Sequence, residues 1–358
     1  MKSPMNNDAF LKLLNRDKVS IEFKKSLSSH QENFLYSKSK NELKVKSKKI
    51  GNQYRFQLPK NLNLKPGPAV SKILDFGSKN DNKPARLKTL KNYSNKNAPR
   101  TFHPKTSPSH QSKLLTRTDG SAVQPHIVFG TDDRVTFQPD GYPYHCIGKL
   151  IVWDDANNLS ARRTGSAALV GENMILTASH MCPWDSKNAM IQFIPAYYDG
   201  DSYIEPGLNA YVTEYCGYNS RKQSKDMAIM RLNKNLGSTL GYFGLKQYND
   251  DWRHGNYWTR VGYAGSVSNA QRPNKVSWFP VIDQDGIGKF KEIEYQSDAS
   301  SGDSGGPVWG WWDGDPYIIG NHVGTSIDYH FPFSIKELNV ATSGSGLLEL
   351  VRFGRDNW

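Results

Sequence analysis

An all-β domain preceded by a basic extension is what this sequence predicts, and three observations carry the prediction. From about residue 127 onward the apolar residues fall in short runs bounded by Gly, Pro, Asn and Asp, as in Ala167-Ala168-Leu169-Val170, Met174-Ile175-Leu176 and Ala228-Ile229-Met230. Runs of that length and spacing suit strands rather than helices. Trp, Tyr and Gly concentrate in the same part of the chain. Charge divides at the same place: residues 1–126 hold 26 Lys and Arg against 8 Asp and Glu, a net of +18, and the remainder holds 20 against 26, a net of −6, which together make the chain's +12.

The extension is rich in Lys, Asn and Ser and is broken by Pro66-Gly67-Pro68, Pro84, Pro99, Pro104, Pro108 and Pro125. Such a composition buries little apolar surface, so residues 1–126 are expected to be largely disordered. Phe10-Leu11, Leu13-Leu14 and Ile73-Leu74 are short apolar patches suited to local helix or docking contacts. The cluster Lys44-Val45-Lys46-Ser47-Lys48-Lys49 is what a nucleic-acid or anionic-membrane contact would use. It lacks interleaved aromatics for stacking on bases, and no nucleic-acid module follows it, so no nucleic-acid partner is expected.

The most informative stretch is Gly302-Asp303-Ser304-Gly305-Gly306-Pro307. It places one serine on a glycine-walled turn, where the N–H groups of Gly302 and Ser304 are positioned to bind an oxyanion. Two such donors are worth roughly 3–4 kcal/mol each to a developing negative charge. Upstream, Leu176-Thr177-Ala178-Ser179-His180 ends a strand–turn–strand pattern on a histidine, which makes His180 a candidate general base. Asp226 stands directly before an alternating apolar strand, where its carboxylate can be buried and accept a hydrogen bond from the imidazole. The chain order His180, Asp226, Ser304 is one of the known orders of a nucleophile triad.

With these residues in place the sequence resembles the chymotrypsin-fold (trypsin-like) serine endopeptidases, nearest the glutamyl endopeptidase branch and its bacterial and fungal trypsin-like relatives. Further blocks of the resemblance are Ile127 to Arg134, Phe193 to Gly200, Gly241-Tyr242-Phe243-Gly244 and Tyr295 to Pro307, so that it covers about residues 127 to 330. It implies two six-stranded antiparallel Greek-key barrels with the active site in the cleft between them and a C-terminal helix. It also implies a secreted enzyme made as a zymogen, with residues 1–126 as its propeptide, residues 127–358 as the protease domain, and a protein or peptide substrate. On this reading the chain is a monomer whose basic propeptide complements its own acidic domain. The reading in a different class is an inactive homologue that uses the fold, and its basic tail, to bind a partner.

Glutamyl endopeptidases carry Asn or Gln before the nucleophile, whereas Asp303 is what trypsin-like zymogens use to receive a freed amino terminus. The resemblance therefore assigns Ile127, freed by a cut after His126, as the partner of Asp303. At the substrate pocket two signals conflict. His322 resembles the histidine that contacts a substrate carboxylate in the glutamyl branch, and Ser301 and Thr325 can add hydroxyl donors. Asp298, six residues before Ser304, has the spacing at which trypsin-like enzymes bind Lys or Arg. Glu before the scissile bond is the favoured expectation, with Lys or Arg as the alternative.

No cofactor or metal is expected, since His145, His254, His322 and His330 are scattered and only three cysteines are present. The resemblance suggests a bond between Cys146 and Cys182 and leaves Cys216 over. Met1 to Leu14 shows no secretory signal pattern, and no stretch reaches the apolar length of a membrane span. Ile335 to Trp358 reads as a loop followed by a short helix packed on the second barrel.

Overall fold

The computed structural model describes residues 2–10, 99–102 and 132–358 apart from 161, 187, 219, 221 and 331–333, together with the backbone of four short strands between residues 46 and 117. The disorder expected over residues 1–126 and the predicted terminus Ile127 fall mostly outside the described residues.

Six antiparallel strands form the first barrel: β1 (Ile147–Trp153), β2 (Arg162–Gly171), β3 (Met174–Thr177), β4 (Met190–Pro195), β5 (Ala210–Gly217) and β6 (Ala228–Leu232). Their order is β6-β3-β2-β1-β4-β5, and pairing of β5 with β6 closes the ring. Closure covers only the inward faces of β1 and β3, yet every residue of both is buried, because the second barrel packs against β1 and the C-terminal helix against β3. A strand of the extension, Val70–Ile73, adds in parallel to β5.

The second barrel comprises β7 (Trp258–Gly262), β8 (Asn274–Phe279), β9 (Val281–Asp285), β10 (Lys291–Tyr295), β11 (Pro307–Trp312), β12 (Asp315–His330) and β13 (Ser334–Ser343). Strands β8 and β9 are one strand bent at Pro280, which has no N–H to give to a ladder. β8 pairs with β7 before the bend and β9 with β10 after it, so six strands make a closed circuit. Trp252, Trp258 and Trp312 fill this barrel in tilted or edge-on contacts 5.4–6.0 Å between ring centroids. Two strands outside the circuit, Val135–Phe137 and Leu114–Arg117, extend the sheet beyond β8.

Two expectations about the chain's end are corrected. Residues 334–343 form a ten-residue strand rather than a loop, and the helix Ser345–Asn357 lies on the first barrel, not the second. Gly354 of the helix sits against Met174 and Ile229, and Arg355 donates to the carbonyls of Val170 and Phe243. The cysteine pairing is corrected too: Cys146, Cys182 and Cys216 are all buried, and none forms a disulfide. The Cys146 thiol lies 3.3 Å from the carbonyls of Leu240 and Gly241, which give it polar partners in place of a second sulfur.

The amino terminus docks on the second barrel. Met5 N–H donates to Trp311, the Trp312 indole donates to the Lys2 carbonyl, and Lys2 pairs with Asp313. Phe10 stacks on Trp311 at 4.7 Å and also meets Trp278.

Candidate active site

β3 ends at Thr177, and a single 3-10 turn, Ser179–Met181, then presents His180 with its side chain 43 % exposed. Asp226 precedes β6, the neighbour of β3, so the pairing of the two strands brings both residues to one end of the first barrel. The contact is two-pronged: His180 N–H donates to Asp226 Oδ1 at 2.9 Å, and Nδ1 lies 2.6 Å from Oδ2. A carboxylate held this way fixes the ring's orientation and places its proton on Nδ1. An open cavity of about 450 Å³ lies beside the histidine, lined by Asp154, Arg163 and the segment Cys182 to Ser186; Arg163 donates to the His180 carbonyl.

Ser304 arrives from the second barrel on the turn ahead of β11. Ser166 of β2 anchors that turn to the first barrel, its hydroxyl donating to the Gly302 carbonyl at 2.7 Å and its N–H to the Ser304 carbonyl at 2.8 Å. The turn depends on glycine. Gly302 has φ +99°, and a Cβ there would lie 2.3 Å from the Tyr263 carbonyl; Gly305 has φ +84°, and a Cβ would lie 2.2 Å from Thr177 Oγ1 and 3.1 Å from Ala178 N. The second of these distances shows how tightly the serine turn presses on the strand end that leads into His180. Among the described residues, the N–H groups of Gly302 and Ser304 have no acceptor within the fold.

Asp303 is fully buried beneath the turn. Its Oδ2 accepts from Ser300 N–H at 2.9 Å and lies 3.0 Å from Arg260 Nη1, an ion pair by distance without aligned hydrogen-bond geometry; its Oδ1 accepts from Asn274 at 3.1 Å. Ile127, expected as its partner, lies outside the described residues.

The four pocket candidates occupy different settings. Ser301 is exposed beside Gly302, while His322 on β12 is buried with Nδ1 2.7 Å from the Tyr295 hydroxyl. Burial pushes the Tyr295 phenol well above its ordinary pKa, so it is neutral and can donate. The Thr325 hydroxyl donates to Asn339, whose amide in turn donates to the Ser297 carbonyl. Asp298 is buried and its carboxylate accepts from Asp133 N–H at 2.9 Å. Burial, then the Asp298 carboxylate, pushes the Asp133 carboxyl up to about 6. Burial also opposes ionisation of Asp132, but Arg134, bound through Nε and Nη2, holds it below the ordinary carboxylate value.

Sequence reasoning passed over Ser166, Tyr295 and Arg260. A signal for Arg260 was present: it is the lone charge in Trp258-Thr259-Arg260-Val261-Gly262, a short strand whose every residue is buried.

Residues 155–320, which run from the first barrel into β12, match the trypsin family model. No curated protein matches the chain. Among solved structures it is similar to a Glu endopeptidase in complex with MPD, with 19 % identity, 64 % of this chain and 100 % of that one covered, and a TM-score of 0.49. A thermostable serine protease AL20 from an extremophilic microorganism has 16 % identity, 60 % and 98 % coverage and a TM-score of 0.46. The protease Anisep from Arthrobacter nicotinovorans has 15 % identity, 59 % and 93 % coverage and a TM-score of 0.43. The trypsin family match over residues 155–320, together with the two closed barrels, supports a chymotrypsin-fold serine endopeptidase, a hydrolase of peptide bonds.

Proposed function

We propose that Ser304, His180 and Asp226 form the catalytic triad of this endopeptidase and that it cleaves after glutamate. Ser304 Oγ attacks the scissile carbonyl, and His180 Nε2 takes the hydroxyl proton and delivers it to the leaving amine. Asp226 keeps the proton of the ring on Nδ1 and stabilises the imidazolium that forms. The carbonyl oxygen becomes an oxyanion, which the N–H groups of Gly302 and Ser304 receive. Water then repeats the sequence on the acyl-enzyme. The observation that carries this reading is the two-pronged His180–Asp226 contact at the strand end against which the serine turn is packed.

Glutamate is favoured over Lys or Arg by the setting of Asp298. A carboxylate already bound to a backbone N–H and crowded by a second carboxyl is poorly placed to receive a cationic side chain. The Tyr295 hydroxyl, donating to Nδ1 of His322, leaves the imidazole proton on Nε2 as a donor for a carboxylate, and Ser301 supplies a further hydroxyl, whereas that of Thr325 is turned to Asn339. Export from the cell and removal of the basic extension as a propeptide belong to the same reading, through the family resemblance.

Labelling with a fluorophosphonate tests the chemistry. Wild type is expected to label at one site and S304A not at all; equal labelling of both would overturn the assignment. A peptide series varied only before the scissile bond tests specificity, and fast cleavage after Arg with none after Glu would reverse it.

A further inference from the structure

We propose that Lys149 is a positioning residue for the oxyanion turn: from the first barrel its ammonium holds the 263–273 loop of the second, and that loop braces the backbone from Ser300 to Gly302. The inference rests on the catalytic reading above, since it assigns Gly302 N–H the role of oxyanion donor.

Lys149 is a buried residue of β1, the strand that the second barrel packs against. Its Nζ donates to the Ala270 carbonyl at 2.8 Å and lies 4.3 Å from the centre of the Tyr197 ring. A carbonyl dipole and an aromatic face both attract a cation. The hairpin 197–202 adds three holds on the residues that follow. The Tyr197 hydroxyl donates to Gln271 Oε1 at 2.7 Å, Asp199 N–H donates to the Gln271 carbonyl at 2.8 Å, and Arg272 donates to the Asp199 carboxylate through Nε and Nη2.

The loop needs such holds. Ser268, Asn269 and Ala270 stand in succession at φ 51°, 51° and 55°. None is glycine, and other residues stay in the left-handed region only where their surroundings over-determine it. Ala270 N–H closes the loop on the Ala264 carbonyl at 3.0 Å, which ties the Lys149 contact to the loop's other end. There Gly265 N–H donates to the Ser301 carbonyl at 2.6 Å, and the Ser266 hydroxyl bonds to that of Ser300 at 2.6 Å. The Ser301 carbonyl and the Gly302 N–H belong to one planar peptide and point in opposite directions. Gripping the carbonyl therefore aims the N–H.

The hold depends on a proton. Burial, then the charge of Arg162, lowers the Lys149 pKa to about 8. The ammonium is thus present below that value and lost as pH rises through it. On the elements packed around it the charged groups are Arg162 of β2, Asp199 and Arg272. The titratable ones are Tyr197 and Tyr263, whose rings meet at 5.9 Å and whose phenols burial raises, so both keep their protons as Lys149 loses its own.

The test follows fluorophosphonate labelling of the full-length chain from about pH 7 to about pH 10, with tryptophan emission as the check of folding. Wild type is expected to slow about tenfold, reversibly, with a midpoint near 8, because the neutral amine keeps a hydrogen bond but not its charge. K149M should label about 10–100-fold more slowly than wild type at about pH 7 and show no such limb. K149R keeps its proton throughout and should hold its rate up to about pH 10. A structural role alone would move the rate and leave the pH profile in place.

A wild-type rate without the limb, a limb that K149M or K149R retains, or a K149M that labels like wild type at neutral pH would each overturn the proposal. If K149M does not fold, the wild-type and K149R profiles decide. Wild type unlabelled at every pH would instead sink the catalytic reading and this inference with it, so the two failures are distinct.

Discussion

His180 and Asp226 show how far a single residue's setting carries. Each stands at the end or start of a buried strand, so its position could be read locally, and antiparallel pairing of β3 with β6 then brings the two together. D226N would keep the shape but allow the wrong imidazole tautomer, and kcat is expected to fall by about 10⁴-fold with little change in thermal unfolding. Steady-state kinetics beside a melting curve checks this. G302A should be nearly as damaging, since a side chain would meet the Tyr263 carbonyl and turn the proposed oxyanion donor away; the expected loss in kcat is about 10²–10³-fold. His145 carries a prediction of a different kind. Burial, only partly offset by its bond to the Leu240 carbonyl, lowers its pKa to about 4. The imidazole of the unfolded chain titrates at the ordinary 6.5, so between these values the unfolded state binds the extra proton. Stability is therefore lost as pH falls from about 6.5 to about 4, by about 3 kcal/mol in total from this group. Urea unfolding of wild type and H145Q across that range should show the wild-type slope reduced in the variant.

Among the elements, the strands around the proposed triad were legible because packing on the outside of the first barrel as well as inside it leaves them as short apolar runs. Strand β13 was not. Its sequence, Ser334-Ile335-Lys336-Glu337-Leu338-Asn339-Val340-Ala341-Thr342-Ser343, is too polar to announce a strand, and what makes it one is a ladder with β12 that runs nearly its full length. The same element supplies Asn339, which accepts from the Thr325 hydroxyl and donates to the Ser297 carbonyl. The C-terminal helix was legible as a helix from its apolar residues, but its docking face was not, because Met174 and Ile229 are far away in sequence. Leu347, Leu350 and Val351 of this helix are buried. L350A is expected to cost about 2–5 kcal/mol of stability, measurable by chemical denaturation. The effect on kcat should be small, since the helix lies away from the serine turn.

For the whole molecule, the charge division of the sequence acquires a physical anchor. The amino terminus is pinned by Phe10 against Trp311 and Trp278 and by hydrogen bonds from Met5 and to Lys2, while residues 99–102 contact Tyr242 and Leu245 through the carbonyl of Pro99 and the Phe102 bridge. A cut within the extension should therefore leave the fragment that begins at Met1 attached to the domain. Limited proteolysis followed by gel filtration is expected to show the fragment co-eluting for wild type and separating for F10A. The net +18 of the extension against −6 for the remainder would add to this retention, so separation should be easier at high salt.

The sequence by itself determined the local settings: a serine on a glycine turn, a histidine at a strand end and an aspartate before a strand are each written within a few consecutive residues, where backbone conformation and apolar patterning decide the outcome. Tertiary structure alone decided who partners whom across the chain. It placed Arg260 beside Asp303, engaged Asp298 with Asp133, and joined none of the three cysteines in a disulfide. The reason is that burial selects a partner by its distance in the folded molecule, and no local pattern records the distance between residues that lie scores of positions apart.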